Sequence, residues 1–255
     1  MRLYIITGSS RGLGLAIAQR ALEEGALVHT VSRHRNDELD RTASDAGAQL
    51  TQHEFDLQDV ERIPGLIDGI ISSAGGPGGS AVEEAMLVNN AGVLEPLGPV
   101  RELSPAALST HVAVNLTGLM QLTASFLSAT STAAYPRTVV NISSGAATKP
   151  YKGWGPYCAT KAAVEMFTRV TALEEGDRGD RRIIAVAPGV VDTDMQALIR
   201  RTPEEKFPHR PKFVDLKESG KLADPAVAAS LVLRAARDPV VESGSCVDLR
   251  KLYGS

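Results

Sequence analysis

The sequence predicts a single α/β domain: a doubly wound, seven-stranded parallel sheet with helices on both faces. Three observations carry this. The 255 residues are 43% hydrophobic and 22% charged, the balance of a chain that buries a sizeable core, with no compositional shift to mark a second domain. Short apolar, β-rich runs alternate with longer helical patterns, and parallel neighbours need crossover connections of that kind. The first of those runs closes on a glycine-rich turn.

Taken in order, residues 3–8 (LYIITG) read as a strand and 13–25 as a helix, 27–33 as a strand and 36–47 as a helix, and 49–57 as a strand followed by a helix over 60–73. Residues 85–92 form the next strand before one long helix near 104–130, 137–145 a strand before a helix at about 156–175, and 182–189 a strand before a helix near 224–237. The seventh strand falls in 245–250. The glycine-rich stretch 73–80 reads as a flexible surface connection, so the domain runs over 1–255. Segment 192–222 is long, charged and broken by Pro203, Pro208 and Pro211, and it follows a strand end, where an α/β sheet opens its ligand crevice. It reads as a mobile lid over a substrate, with a plain surface excursion as the alternative.

Net charge is −3 and the isoelectric point is near 6.0, which gives no basic field for nucleic acid or an acidic membrane surface. A small-molecule partner is expected. MRLYIITGSS enters a strand at once without a leader pattern, and no window approaches the roughly 18–20 uninterrupted apolar residues of a membrane span, so a cytoplasmic protein is expected. Cys158 and Cys246 stand far apart and read as thiols; the histidines at 29, 34, 53, 111 and 209 are scattered, so no metal site is expected.

The turn after the first strand, Gly8-Ser9-Ser10-Arg11-Gly12-Leu13-Gly14, lets backbone approach a pyrophosphate at a helix N-terminus, where unpaired N–H groups and the positive dipole end favour anions. At the first strand of a repeated strand-helix pattern, it marks a Rossmann-type dinucleotide site. The second strand ends in Ser32-Arg33 where an NAD site places an acid. Arg33 and Arg11 can instead pair with a 2′-phosphate, so NADP(H) is the expected cofactor. Asp56 can accept from the adenine amino group beside Leu57, and Asn90, Ala91 and Gly92 let a flat cofactor lie close to the fourth strand's end.

Tyr157 and Lys161, four apart on one helix, share a face. Together these residues resemble the short-chain dehydrogenase/reductase family over essentially the whole chain: Thr7-Gly8-x3-Gly12-x-Gly14, Asn89-Asn90-Ala91-Gly92, Asn115, Ser144, Tyr157-x3-Lys161 and Pro188-Gly189-x3-Thr193. The resemblance implies that Tyr157 exchanges a proton with the carbonyl oxygen, that Ser144 hydrogen-bonds it, and that Lys161 lowers the phenol's pKa while holding the nicotinamide ribose. It further implies that Asn115 holds a relay water, that the Val191 backbone and Thr193 hydroxyl bind the carboxamide, and that the pro-S hydride is transferred. Ser143 is passed over because the family's spacing selects Ser144. Gly189 falls in the substrate region.

The stretches NISSGAATKPYKGWGPYCATKAAVEMF, APGVVDTDMQ, LKESGKL and GSCVDLR resemble the sepiapterin reductase branch, and more closely its bacterial benzil reductase relatives. That likeness implies a substrate-anchoring acid at Asp248, an Asp that as a strand-end residue is also a common structural cap. Trp154 reads equally as a pocket wall and as core. Cys158, beside Tyr157, reads as a packed thiol. The expected activity is NADPH-dependent reduction of a vicinal dicarbonyl, benzil to (S)-benzoin in type. The alternatives are a pterin side-chain ketone, the oxidative direction on a secondary alcohol, and a non-catalytic NADP-sensing protein. The resemblance also implies a homodimer through the helices around Asn115 and Tyr157, although core burial explains the same apolar stripe.

Overall fold

The computed structural model describes residues 1–76, 82–176 and 179–254. Seven parallel strands form one sheet: β1 Arg2–Thr7, β2 Leu27–Ser32, β3 Gln49–Glu54, β4 Glu84–Asn89, β5 Arg137–Ile142, β6 Arg181–Ala187 and β7 Cys246–Asp248. They are joined by α1 Gly12–Glu23, α2 Asp37–Ala46, α3 Ile63–Ser73, α4 Pro105–Val112, α5 Gly118–Ala129, α6 Gly155–Glu175, α7 Asp194–Arg201, α8 Arg210–Glu218 and α9 Pro225–Arg237, and α10 Leu249–Tyr253 follows β7. The strand order is β3-β2-β1-β4-β5-β6-β7. The winding reverses between β1 and β4, and at such a switch point the crevice opens beyond the strands' carboxyl ends.

Side chains alternate between the two faces of each strand. In β4, Ala85 and Leu87 face Ile63, Ile67 and Ile70 of α3 with Leu122 and Phe126 of α5, whereas Met86 and Val88 face Ile17 and Leu22 of α1 with Val232 and Leu233 of α9. Both faces are covered, which is why inner strands such as β1 and β4 are near-continuous apolar runs, whereas the edge strand β3 is largely polar. Burying each of the large aliphatic side chains contributes about 1.5–3 kcal/mol. The helical run Pro105–Ala129 is long and apolar enough by composition to cross a membrane, and here it lies along the sheet with Leu122 and Phe126 in the core.

Three local readings change. The third strand stops at Glu54, so Phe55-Asp56-Leu57 leaves the sheet as a turn. The helix expected near 104–130 is α4 and α5 joined by a π-helical turn, Ala113–Thr117, that carries Asn115. The seventh strand is only Cys246–Asp248, because the Asp248 side chain accepts from the Arg250 N–H and caps α10. The glycine-rich stretch begins at the end of α3, and its residues 77–80 lie outside the described residues.

Segment 192–222, read as a mobile lid, is a fastened pair of helices, α7 and α8. Val191 pairs with Ala223 as a parallel bridge, and Asp192 N donates to Ala223 O at 2.9 Å, so the two ends of the excursion are stitched together. Lys217 Nζ donates to the Asp192 carboxylate at 2.5 Å. Ile199, Phe207 and Phe213 sink into a separate apolar cluster with Leu94, Trp154 and Tyr157. These anchors come from two helices and a loop, so they share no single period.

Candidate active site

At the switch point, β1 and β4 are tied by one hydroxyl. Thr7 Oγ1 accepts from the N–H groups of Asn90 and Ala91 at 3.0 Å each, and Asn90 Nδ2 donates to the carbonyls of Thr7 at 2.9 Å and Gly8 at 3.2 Å. Gly8 has φ +68°, and a Cβ there would sit 2.7 Å from Ala91 Cα. On Gly14 a Cβ would meet Gly8 O at 2.3 Å, so only glycine lets this turn close. Gly12, φ +58°, lies against the Thr193 methyl. Arg11 occupies the N-cap of α1 in an extended conformation without a side-chain cap, no acid sits in the first turn, and the buried Ser9 Oγ is unpartnered. This set fits a dinucleotide: glycine-lined backbone and an uncapped helix N-terminus are what a pyrophosphate takes.

Ser10, Arg11, Leu13, Arg33, Asp56, Leu57, Asn90, Ala91, Gly92, Val191 and Thr193 line one continuous cleft of about 1470 Å³ with the glycine turn, Ser144, Tyr157 and Lys161. Arg33 is exposed, with no ion pair among the described residues, and follows Ser32, whose hydroxyl donates to His34 O at 2.8 Å. Arg11 forms an exposed pair with Asp194 at 3.4 Å, linking the glycine turn to α7. The Asp56 carboxylate accepts from Gln58 N at 3.0 Å, and Leu57 is buried. Asn36 Nδ2 donates to Ser10 O at 2.9 Å, fixing the turn to the start of α2.

Beyond β5 the catalytic helix α6 meets the strand end rung by rung. Lys161 Nζ donates to Ile142 O at 2.6 Å, and Ser143 Oγ donates to Glu165 Oε1 at 2.8 Å. That bond commits Ser143 and leaves Ser144, whose Oγ accepts from Ala146 N at 3.2 Å and also interacts with the Tyr157 hydroxyl. The expected lowering of the Tyr157 pKa by Lys161 is not what the structure gives. Burial pushes the phenol up to about 12, the Ser144 hydrogen bond opposes this only partly, and the buried ammonium, itself pushed down to about 8, is aimed at a carbonyl. Desolvation is the largest cause for both groups, and Lys161 Nζ stands 5.8 Å from the Tyr157 ring centroid.

Asn115 lies buried in the π-helical turn, its Oδ1 accepting from Val93 N and its Nδ2 donating to Val93 O, both at 2.7 Å. The wide turn aims this amide at the loop after β4. Trp154 is only 5% exposed. It stacks on Phe207 at 4.6 Å with ring planes 4° apart and meets Tyr157 edge-on at 5.6 Å, so it is at once core and wall. A Cβ on Gly153 would lie 2.2 Å from Lys206 O, which shows how closely the α7–α8 connection crosses the catalytic loop.

Asp248 lines the cleft, but its carboxylate is already taken. Arg250 Nε donates to Oδ1 at 3.0 Å and its guanidinium NH2 to Oδ2 at 2.6 Å, and this pairing holds the carboxyl below the usual range. The Arg250 stem packs 3.2 Å from where a Gly189 Cβ would stand, and Gly189 has φ +90°. Cys158 is half-buried with its thiol toward Lys149 O. Sequence reasoning missed Glu165, Phe207, Phe213 and Arg250, along with His111 behind Asn115. Of these, Glu165 carried a signal, since it continues the Tyr157, Lys161 face at four-residue spacing.

A glycine turn at the switch point, an uncapped helix start, and a Ser, Tyr and Lys converging at the far end of the same cleft define a dinucleotide-dependent oxidoreductase. A family model described as short chain dehydrogenase matches residues 2–204. Benzil reductase ((S)-benzoin forming) of Bacillus cereus is 43% identical over 233 residues, 91% of this chain and 92% of that protein. Sepiapterin reductase of Bos taurus is 33% identical over 258 residues, 96% and 93% of the two chains. The crystal structure of the KRED1-Pglu enzyme aligns with a TM-score of 0.82 at 30% identity, covering 97% of this chain and 100% of that one. The chain belongs to the short-chain dehydrogenase/reductase family, as an oxidoreductase that acts on carbonyl and alcohol groups.

Proposed function

We propose that the chain is an NADPH-dependent reductase of vicinal dicarbonyl compounds, converting one ketone of a benzil-like aromatic diketone to the (S)-hydroxyketone. The observation that carries the substrate class is the wall beside Tyr157: Leu94, Tyr151, Trp154, Met195, Leu198 and Phe213 line that end of the cleft. Flat aryl groups gain both burial and ring contacts there. NADPH is favoured because Arg33 and Arg11 offer guanidinium groups to a 2′-phosphate and β2 ends without a carboxylate.

Bound NADPH supplies the hydride. Gly8, Ser10, Gly12, Leu13 and Gly14 would hold its pyrophosphate, Asp56 and Leu57 the adenine, Asn90 to Gly92 the ribose side, and Val191 and Thr193 the carboxamide. Ser144 would donate a hydrogen bond to the substrate carbonyl oxygen, where negative charge develops. Tyr157 would deliver its proton to that oxygen, and burial keeps the phenol protonated until then. Lys161, its ammonium on Ile142 O, would hold the nicotinamide ribose. Asn115 would hold the loop after β4.

A pterin ketone is the second reading, since Asp248 lines the cleft and suits amino N–H donors. The Arg250 fork on both its oxygens favours the diketone. A homodimer belongs to the proposal: Met166, Val170 and Leu173 form an exposed apolar stripe on α6, Leu173 being 81% exposed. So does a reducing, cytoplasmic setting for the two unpaired thiols.

Reduced-nicotinamide consumption, followed by absorbance with NADPH or NADH against benzil, sepiapterin, isatin and simple monoketones, tests the reading. Benzil with NADPH should give the highest kcat/KM. A preference for sepiapterin would move the chain to the second reading, and equal use of NADH would overturn the arginine argument.

A further inference from the structure

His111 is the last-turn histidine of α4 and has no exposed surface. Its Nδ1 lies 2.7 Å from the carbonyl oxygen of Glu95, which can only accept, so Nδ1 carries the proton. Its Nε2 lies 3.0 Å from Asn115 Nδ2 and 3.2 Å from Thr160 Oγ1. The orientation of Asn115 is fixed independently by Val93, whose N–H needs Oδ1 and whose carbonyl needs Nδ2. Nδ2 therefore has one proton left, and the lone pair on His111 Nε2 receives it. Every group in this chain is satisfied only when His111 is neutral and protonated on Nδ1. Burial, with Lys161 nearby, holds the imidazole pKa below its ordinary value, in agreement.

The three partners belong to three different parts of the site. Glu95 is in the loop after β4, two residues beyond Val93. Asn115 forms the π-helical turn, and a Cβ on Gly92 would stand 3.3 Å from its Oδ1. Thr160 is on α6 between Tyr157 and Lys161, and its hydroxyl lies 2.9 Å from Pro156 O and 3.1 Å from Tyr157 O. The imidazole also meets the Tyr157 ring edge-on at 6.3 Å. We propose that His111 is a positioning residue for carbonyl reduction: as the Nδ1–H tautomer it locks Asn115 and holds the floor after β4 at a fixed distance from Tyr157 and Lys161.

The lone pair on Nε2 carries this role, and three substitutions separate it from packing. His111→Gln can present an acceptor to Asn115 at the Nε2 position, His111→Asn can reach only the Glu95 side, and His111→Phe fills the space and bonds to neither. With benzil, or whichever carbonyl compound the wild-type chain turns over best, His111→Phe and His111→Asn should lose about 100-fold in kcat, as a displacement near 1 Å costs. Their KM for the carbonyl should stay within about threefold, and His111→Gln should keep kcat within about tenfold of wild type. In nucleotide-free protein, side-chain imidazole NMR should show one histidine fixed as the Nδ1–H tautomer at neutral pH, absent from all three variants.

The inference is overturned if His111→Phe keeps full kcat, if His111→Gln loses as much as His111→Asn, or if the His111 resonance is an Nε2–H tautomer or an imidazolium. If His111→Phe fails to fold, the Gln against Asn comparison decides alone. A wild-type chain that ignores benzil but reduces another ketone would refute the proposed substrate and leave this test intact.

Discussion

At the nucleotide end of the cleft the tightest contacts are between backbones: a Cβ on Gly14 would stand 2.3 Å from Gly8 O, and one on Gly8 2.7 Å from Ala91 Cα. At the substrate end one backbone crossing is as close, a Cβ on Gly153 lying 2.2 Å from Lys206 O, but the wall beside it is made of side chains, as in the 4.6 Å stack of Trp154 on Phe207 from a distant segment and the Arg250 fork on Asp248. The difference teaches that where backbones meet no side chain is admitted and the mark left in the sequence is a glycine, whereas a surface made of side chains can be refilled. One half suits a constant cofactor. The other suits a substrate that changes from relative to relative.

The comparison breaks most visibly at Gly14. Gly14→Ala drives a methyl into a carbonyl that the β1–β4 ties cannot release, so folded protein should be lost or destabilised by more than about 4 kcal/mol, read by chemical denaturation. A normally stable Gly14→Ala protein would show that the turn has slack. Next in size, Trp154→Ala leaves a cavity against Phe207 and should cost about 3–5 kcal/mol. Its kcat/KM for the carbonyl should fall while nucleotide affinity, measured by titration calorimetry, holds. Matching losses on both sides would mean that the halves are not separable.

Arg33→Ala should act on the opposite half. Losing one charge-assisted pairing, worth about 1.5–3 kcal/mol, should lower kcat/KM for NADPH about 10- to 100-fold and leave that for NADH unchanged. The last effect is in pH dependence. Lys161 binds its proton more weakly folded, with a pKa of about 8 against an ordinary 10.5, so the unfolded chain holds more protons and this group's contribution to stability rises with pH across that window. Tyr157 shifts the other way, to about 12 from 10.0, so its contribution falls as pH climbs through that range. The stability difference between wild type and Lys161→Met should therefore change between about pH 8 and 10 in favour of wild type. A pH-independent difference would mean that the ammonium is not held in a desolvated site.

The same contrast decides how much was legible in the sequence. The alternating runs gave the seven strands and their sheet, because a sheet covered on both faces demands apolar strands with crossover helices between them. Gly8, Gly12 and Gly14 announced their turn, since steric exclusion leaves a local mark. Trp154's stacking partner Phe207 left none. A lone aromatic residue among prolines and charges has no period, and only the folded chain brings Phe207 against Trp154. The anchors of segment 192–222, Ile199, Phe207 and Phe213, left no mark in the sequence for the same reason. The Tyr157 pKa was misjudged for a different one: residue spacing shows which charges share a face and says nothing of how much water burial removes.

Tyr157 stands where the two halves meet, and Tyr157→Phe removes one hydroxyl with almost no change in volume. Its kcat for benzil with NADPH, set beside NADPH affinity and thermal stability, tests the account most directly. The account predicts a loss on the order of 1000-fold in kcat, as removal of a general acid costs, with affinity and stability close to wild type. Turnover at the wild-type rate would contradict the assignment of Tyr157 as proton donor.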